Sequence, residues 1–255
     1  MPEHHLRRWA AAACASLAMG LAGAAEAGPP FVTDDPEPVD LGHWEVYGFG
    51  AGTHVQGDTA GVLAGTEVNY GAAPNLQLHI IVPLAYDAPK GGSTQVGLGD
   101  IELGAKYRFI TPGEKDWFPQ VGVFPLVELP TGDADRGLGA GKTRVFLPIW
   151  IQKDLGDWTT YGGGGRWFNP GQGNRDYWFA GWLVQRQVRK QLAIGAELFH
   201  DTAMTVGGRD SSGFNVGGVY DLNEHYHLLF SAGRGLQDAR EANEFSYYLA
   251  LQKTF

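Results

Sequence analysis

The chain has 255 residues, with 19 lysines and arginines against 28 aspartates and glutamates, and its net charge is −9. This acidic balance argues against nucleic acid as a partner, because proteins that bind nucleic acid neutralise phosphates with basic side chains. The single cysteine, Cys14, excludes a disulfide framework within the chain. No linker-like tract divides the sequence, which favours one folded unit.

The first segment, residues 1–27, has the pattern of a secretory signal peptide. A basic start precedes an apolar, alanine-rich stretch over residues 9–23, and an A-x-A-like site follows. We expect cleavage between Ala27 and Gly28. A single membrane helix is the alternative, but the apolar stretch is shorter than the roughly 20 residues that a span requires. The protein is therefore predicted to be exported.

The next segment, residues 28–42, is rich in proline and acidic residues. Proline fixes its own φ and lacks a backbone N–H, so neither a regular strand nor a regular helix is expected here. The segment should either lie in the periplasm as a leader or fold into the mouth of the following domain as a plug. The sequence leaves both possibilities open.

Residues 43–255 show the two-residue period of β-strands. The clearest case spans residues 100–109, where apolar side chains alternate with Asp100, Glu102, Lys106 and Arg108. Successive strand residues point to opposite faces, so one face is apolar and the other charged. About twelve such strands are predicted, near residues 43–53, 62–73, 75–86, 96–110, 118–130, 142–155, 157–169, 177–188, 191–202, 211–222, 225–235 and 243–255.

The predicted connections alternate in length. The odd-numbered connections are expected to be long loops rich in Gly, Asp and Ser, whereas the second, sixth, eighth and tenth are expected to be tight turns. The fourth, with the sequence TPGEKDW, is longer than a tight turn. An even strand number with this alternation is typical of bacterial outer-membrane barrels. The sequence thus predicts an all-β fold, a closed antiparallel transmembrane β-barrel of about 12 strands.

A soluble β-sandwich or a lipocalin-like barrel would also show alternating strands. Two features favour the membrane barrel: the last strand ends on the aromatic Phe255, and aromatic residues lie near strand ends, where girdles meet membrane interfaces. The predicted partners are outer-membrane lipid, lipopolysaccharide and the barrel-assembly machinery, which would bind the C-terminal strand. The girdle candidates are Tyr47, Tyr86, Tyr107, Phe109, Trp117, Trp158, Tyr220, Tyr226 and Tyr247.

Strand parity also selects the side chains that should face the lumen. Buried charges must either pair with one another or line an aqueous path, and aromatic side chains could constrict that path. The lumen-lining candidates are Asp100, Glu102, Lys106, Arg108, Glu128, Arg144, Trp150, Glu197 and Asp221.

The sequence indicates no catalytic set, no metal site and no cofactor. His225 and His227 lie two apart on one predicted strand, but no third metal donor is indicated. His200 and Ser212 are candidate members of a hydrolase site, yet no G-x-S-x-G elbow is present. An outer-membrane enzyme stays open as an alternative, because the members of a triad can be far apart in sequence.

Three motifs carry a resemblance to a known family: GPPFVTDDPEPVDLGHWEVYGF, GLGDIELGAKYRF and the Pro-Thr-Gly loop at residues 130–132. Together they resemble the transporter-like outer-membrane β-barrel family named after the meta-cleavage pathway of phenol degradation. The resemblance implies a porin-like channel or transporter of Gram-negative bacteria for passive or facilitated passage of small molecules, with aromatic or apolar compounds as candidates. A non-conducting structural or surface-binding barrel is the second possibility.

Overall fold

The computed structural model describes residues 29–112 and 117–255; the predicted signal peptide lies outside the described residues. The fold is all-β, as the sequence predicted. Neither of the two short helical segments in the described part of the chain is long or apolar enough to cross a membrane. The strands are β1 (Trp44–Val55), β2 (Asp58–Ala73), β3 (Leu76–Ala88), β4 (Gln95–Leu98), β5 (Ile101–Ile110), β6 (Gln120–Val123), β7 (Leu126–Leu129), β8 (Arg144–Leu155), β9 (Trp158–Phe168), β10 (Tyr177–Arg189), β11 (Leu192–Asp201), β12 (Ser211–Asp221), β13 (Tyr226–Gln237) and β14 (Phe245–Thr254).

These strands close into a barrel with the twelve strands that the sequence predicted. Neighbours pair antiparallel, and β1 pairs with β14 to close the sheet. Two barrel strands are interrupted: β4 and β5 follow one another along β3, and β6 and β7 lie together between β5 and β8. The second interruption falls at Phe124 and Pro125, because proline has no N–H to donate to the sheet.

The connections define two ends of the barrel. Tight turns such as those at residues 74–75 and 156–157 lie at one end, hereafter the turn end. The opposite end, hereafter the loop end, carries long connections such as residues 130–143. The prediction of a long first connection was wrong. Gln56 and Gly57, both with positive φ, join β1 directly to β2, as a two-residue hairpin of the primed turn type requires.

The outer face of the barrel is apolar. Along β3, Leu78, Ile80, Val82 and Leu84 point outward and are 37–49% exposed. The side chains between them point inward, as strand alternation requires. Most predicted girdle residues are exposed at strand ends, but Tyr47 is buried and its hydroxyl donates to Glu45 Oε2 at 2.6 Å. Parity explains this exception, since Tyr47 lies on the inward face of β1.

Aromatic side chains of Phe124 and of strands β8 to β10 fill one half of the barrel interior. The rings of Phe146 and Trp167 stack with centroids 4.8 Å apart, and Trp150 meets Phe179 edge-on at 6.2 Å. Arg166, which precedes Trp167 on β9, points outward, and its Nη2 lies 2.8 Å from Asp176 Oδ2. We call the buried residues of this half the aromatic cluster: Phe124, Leu126, Phe146, Trp150, Trp167, Tyr177 and Phe179.

Candidate functional site

The other half of the interior is occupied by the chain itself, through residues 30–39, hereafter the inner segment. It enters the barrel at the turn end, where Gly42 N donates to Gly71 O at 2.8 Å immediately before β1. Phe31 is 2% exposed, and both Thr33 and Asp34 are 0% exposed. The prolines prevent regular structure here, so the backbone groups of the inner segment depend on side chains of the barrel wall.

Glu197 of β11 holds the deepest part of the inner segment. Its Oε1 accepts from Val32 N at 3.0 Å and its Oε2 from Thr33 N at 2.8 Å. Asn215 Nδ2 also donates to Oε1, at 2.6 Å. On the neighbouring strand β10, Gly181 leaves the space that Thr33 needs, since a Cβ at this glycine would lie 2.2 Å from Thr33 Oγ1. The predicted inward side chain of Glu197 is therefore engaged by the inner segment.

Two basic residues of β5 hold the part of the inner segment that returns to the turn end. Lys106 Nζ lies 2.9 Å from Asp34 Oδ1 and 3.3 Å from Asp35 Oδ1. Arg108 Nη1 lies 3.4 Å from Glu37 Oε1 and donates to Gln120 Oε1 at 2.7 Å. Burial raises the pKa of Asp34, although the Lys106 ammonium acts in the opposite direction.

A buried polar network lies on the wall beside the inner segment. His79 Nδ1 is 2.7 Å from Asn69 Oδ1, and His79 Nε2 is 3.0 Å from Glu102 Oε1. Asn69 Nδ2 also donates to Glu67 Oε1 at 2.8 Å. Further along the wall, Arg144 Nε donates to Glu128 at 2.5 Å. Of the predicted lumen residues, Glu102, Glu128 and Arg144 therefore lie in buried polar or ionic contacts.

The remaining three candidates have separate surroundings. Asp100 binds the long loop 130–143, because its Oδ1 accepts from Gly132 N at 2.9 Å and its Oδ2 from Ala140 N at 2.6 Å. Trp150 belongs to the aromatic cluster and is 0% exposed. Asp221 lies apart, half-exposed near the turn end, where its Oδ1 is 2.7 Å from His227 Nδ1.

Sequence reasoning missed Glu67, Asn69 and His79. A usable signal was present, because Glu67 and Asn69 alternate with Thr66, Val68 and Tyr70 along β2. This face of β2 is the one that neighbouring strands bury, so polar side chains on it are expected to line the lumen. Their partner on β3, His79, follows from the register that places Asn69 opposite it.

The inner segment separates two cavities. The loop-end cavity has a volume of about 130 Å³ and is lined by Phe31 and Val32 together with Phe49, Tyr247 and Tyr248 of the wall. The turn-end cavity is larger, with a volume of about 370 Å³. Its lining is mostly polar and acidic: Asp34, Asp35, Glu37, Asp40, Glu45, Glu67, Asn69, Gln77, His79, Lys106 and Gln252, with Pro29, Pro38, Val39, Tyr47, Phe124, Val219 and Leu229.

The candidate hydrolase residues His200 and Ser212 lie opposite one another on the neighbouring strands β11 and β12. His200 Nδ1 is 2.8 Å from Ser212 Oγ, and Ser212 Oγ donates to Gln237 Oε1 at 3.1 Å. In a catalytic triad the third member orients the histidine, whereas here the Gln237 amide contacts the serine. His225 is exposed. Across residues 29–112 and 117–255, no group of three or more His, Cys, Asp or Glu side chains is arranged to hold a metal ion.

Solved structures share this fold. The COG4313 outer membrane channel from Pseudomonas putida F1 is 20% identical, with a TM-score of 0.66, over 87% of this chain and 98% of that one. The KdgM porin in complex with disordered oligogalacturonate is 10% identical, with a TM-score of 0.54, over 84% and 99%. The NanC porin is 7% identical, with a TM-score of 0.55, over 83% and 98%. At these identities the likeness concerns the fold.

Among curated proteins, nothing matches the chain. A family profile described as "Putative MetA-pathway of phenol degradation" does match, over residues 45–251. That range runs from the second residue of β1 to within a few residues of the end of β14, so it covers nearly the whole barrel wall. The chain belongs to this family.

Proposed function

We propose that the protein is an outer-membrane channel for small molecules whose lumen is closed by the inner segment. The observation that carries this proposal is the distribution of side chains across the wall. The outer face is apolar, as on β3, whereas charged residues such as Glu102 and Lys106 are buried inside. A transmembrane barrel with a polar interior has this distribution, whereas a soluble barrel buries its apolar face.

The residues that line the lumen should make the channel prefer cations and neutral solutes over anions. Within the described interior, five acidic side chains are fully buried against two basic ones, Lys106 and Arg144. Carboxylates lining a pore raise the local concentration of cations and repel anions. The five acidic residues are Asp34, Glu67, Glu102, Glu128 and Glu197.

The apolar outer face and the last strand support the proposed partners. We infer that lipid and lipopolysaccharide contact the outward side chains, and that the assembly machinery binds β14. The outward face of this strand carries Tyr247, Leu249, Leu251 and the final Phe255, which are 42–56% exposed. This apolar strand edge is available before β1 pairs with it.

Planar-bilayer recording tests the channel. The mature protein should open rarely, because the inner segment is docked, and the Glu197→Ala variant should open often, because the segment has lost its deepest anchor. Reversal potentials in a salt gradient should show a preference for cations. A non-conducting structural barrel is the alternative that the filled interior favours. Silence of both proteins, after verified insertion into the bilayer, would establish that alternative.

A further inference from the structure

The turn-end cavity has an excess of acidic groups. Six carboxylic side chains line it, whereas its basic side chains are Lys106 and His79. Lys106 Nζ is already bound by Asp34 Oδ1, and the two ring nitrogens of His79 contact Asn69 and Glu102. The basic groups are therefore engaged, and the cavity keeps a surplus of carboxylic groups. The acidic residues are Asp34, Asp35, Glu37, Asp40, Glu45 and Glu67.

Two of these carboxylic groups have an oxygen without a hydrogen-bond partner among the described residues. The oxygens are Asp34 Oδ2, on the inner segment, and Glu67 Oε2, on β2 of the wall. Asp34 is 0% exposed and Glu67 is 2% exposed, so bulk water does not solvate them freely. The two groups lie near enough to repel one another electrostatically. Because a buried acceptor without a donor is costly, and more so when it is charged, the pair favours a donor with positive charge.

The volume and the lining of the cavity favour an organic cation. About 370 Å³ lies within the range of about 300–1,000 Å³ that small-molecule sites occupy. A bare metal ion does not suit the cavity, since no group of three or more His, Cys, Asp or Glu side chains in residues 29–112 and 117–255 is arranged to hold one. Apolar side chains beside the carboxylic groups offer a surface for a carbon skeleton: Val39, Phe124, Val219 and Leu229.

The contacts of Lys106 indicate which kind of cation the cavity accepts. Its primary ammonium group lies 2.9 Å from Asp34 Oδ1 and 3.3 Å from Asp35 Oδ1. The same group lies 5.1 Å from the centre of the Phe124 ring, which attracts a cation over its face. An ammonium group has three N–H donors. The unpartnered oxygens of Asp34 and Glu67 need such donors, which a quaternary ammonium ion lacks.

We propose that the turn-end cavity binds a small primary ammonium compound with an apolar body, whose N–H groups pair with Asp34 Oδ2 and Glu67 Oε2. The compound contacts the inner segment through Asp34 and the wall through Glu67. As a statement about transport, the proposal rests on the proposed channel function, because it names a class of solute for that channel. Binding at the site does not require conduction.

Isothermal titration calorimetry of the purified protein in detergent tests the site. The probe is phenethylammonium at pH 8, where an alkylammonium group is still charged, as the lysine side chain is. Two matched probes have the same carbon skeleton: the neutral 2-phenylethanol and the trimethylated, quaternary derivative of the amine. We expect the primary ammonium to bind at least ten-fold more tightly than either, because it alone combines a charge with N–H donors.

Glu67→Gln tests the residue on the wall. It should weaken binding of the primary ammonium at least ten-fold, because a neutral amide replaces the carboxylate that pairs with the ligand. Glu224→Gln is the matched control, since this acidic residue is exposed in the connection between β12 and β13, and it should leave the affinity unchanged. Heat-dependent mobility in gels checks the folding of both variants.

Equal affinity for the three probes would overturn the site, and so would an unchanged affinity in folded Glu67→Gln. If Glu67→Gln does not fold, the comparison of the three probes decides by itself. Planar-bilayer recording separates this outcome from that of the proposed function. A conducting protein that does not distinguish the probes overturns the site alone, whereas a silent barrel that binds the primary ammonium overturns the channel and retains the site.

Discussion

The two halves of the barrel interior are filled in different ways. The aromatic cluster belongs to the wall, and its rings stack on one another, as Phe146 does on Trp167. The opposite half is filled by the inner segment, which the wall holds through hydrogen bonds and ion pairs such as those of Glu197 and Lys106. Stacked wall residues cannot leave without unfolding, whereas a bound segment can. Opening should therefore occur on the polar half alone.

Trp150→Ala tests whether the aromatic half stays in place when the channel opens. Of the variants described here, it should lower the free energy of unfolding the most. Trp150 is 0% exposed within the aromatic cluster. Loss of a large aromatic side chain from a packed interior costs about 3–5 kcal/mol. We expect this decrease in the free energy of unfolding, measured by urea titration of the protein in lipid vesicles, without more frequent opening. Trp158→Ala, at an exposed position, is the control; a stable but freely conducting Trp150→Ala variant would contradict the comparison.

Glu197→Ala tests how strongly the Glu197 carboxylate holds the inner segment in the lumen. The substitution removes the acceptor for Val32 N and Thr33 N. Hydrogen bonds to a charged group contribute about 1.5–3 kcal/mol each, so the loss of two of them should raise the open population at least 100-fold. Single-channel recording measures this rise. Glu197→Gln keeps one acceptor oxygen and should give an intermediate value; an open probability equal to that of the unchanged protein would show that other contacts hold the segment.

Gly181→Val tests the same docking from the neighbouring strand β10. The added Cβ would meet Thr33 Oγ1 at 2.2 Å. Overpacking of this kind costs about 1–3 kcal/mol, so the open population should increase by about ten-fold. Ala180→Val places the same bulk on the exposed outer face and should change nothing. Similar conductance of the two variants would argue that the inner segment does not close the lumen.

Glu102→Gln should have the smallest effect, on selectivity alone. The substitution replaces the buried carboxyl group of Glu102, which lies 3.0 Å from His79 Nε2, by an amide that cannot ionise, and it leaves the inner segment's own contacts in place. In a Glu197→Ala background, the ratio of cation to anion permeability should fall by roughly two-fold, because the carboxylate field in the lumen weakens. Reversal potentials measure the ratio. Glu241→Gln, at an exposed loop-end site, is the control, and an equal decrease there would assign selectivity to the surface charge.

Strand alternation made the wall predictable from the sequence. Residues 100–109 were assigned to a strand because their charged and apolar side chains alternate, and β5 spans Ile101–Ile110. The same parity placed Glu197 inside. It could not identify the partners of Glu197, because Thr33 is separated from it by 164 residues. The first connection was predicted to be a long loop between strands near residues 43–53 and 62–73, whereas Gln56 and Gly57 alone form the turn.

Asp100 is a second residue whose direction, but not whose partner, was predictable from strand alternation. Its inward direction follows from parity, but its binding to the loop through Gly132 and Ala140 depends on the path of a connection that has no period. The two-residue period of a strand predicts the face to which a side chain points, but it does not predict which group the side chain contacts.

The position of the inner segment in the chain has a consequence for assembly. The segment precedes β1 and is synthesised before every strand that it contacts. Its partners include Glu197 of β11 and Ser231 of β13, the latter 201 residues away from Pro30. Contacts of such large sequence separation form late, because the intervening chain must first be ordered. We therefore expect the inner segment, although it is made before the wall, to reach its final place last, after the wall has formed around it.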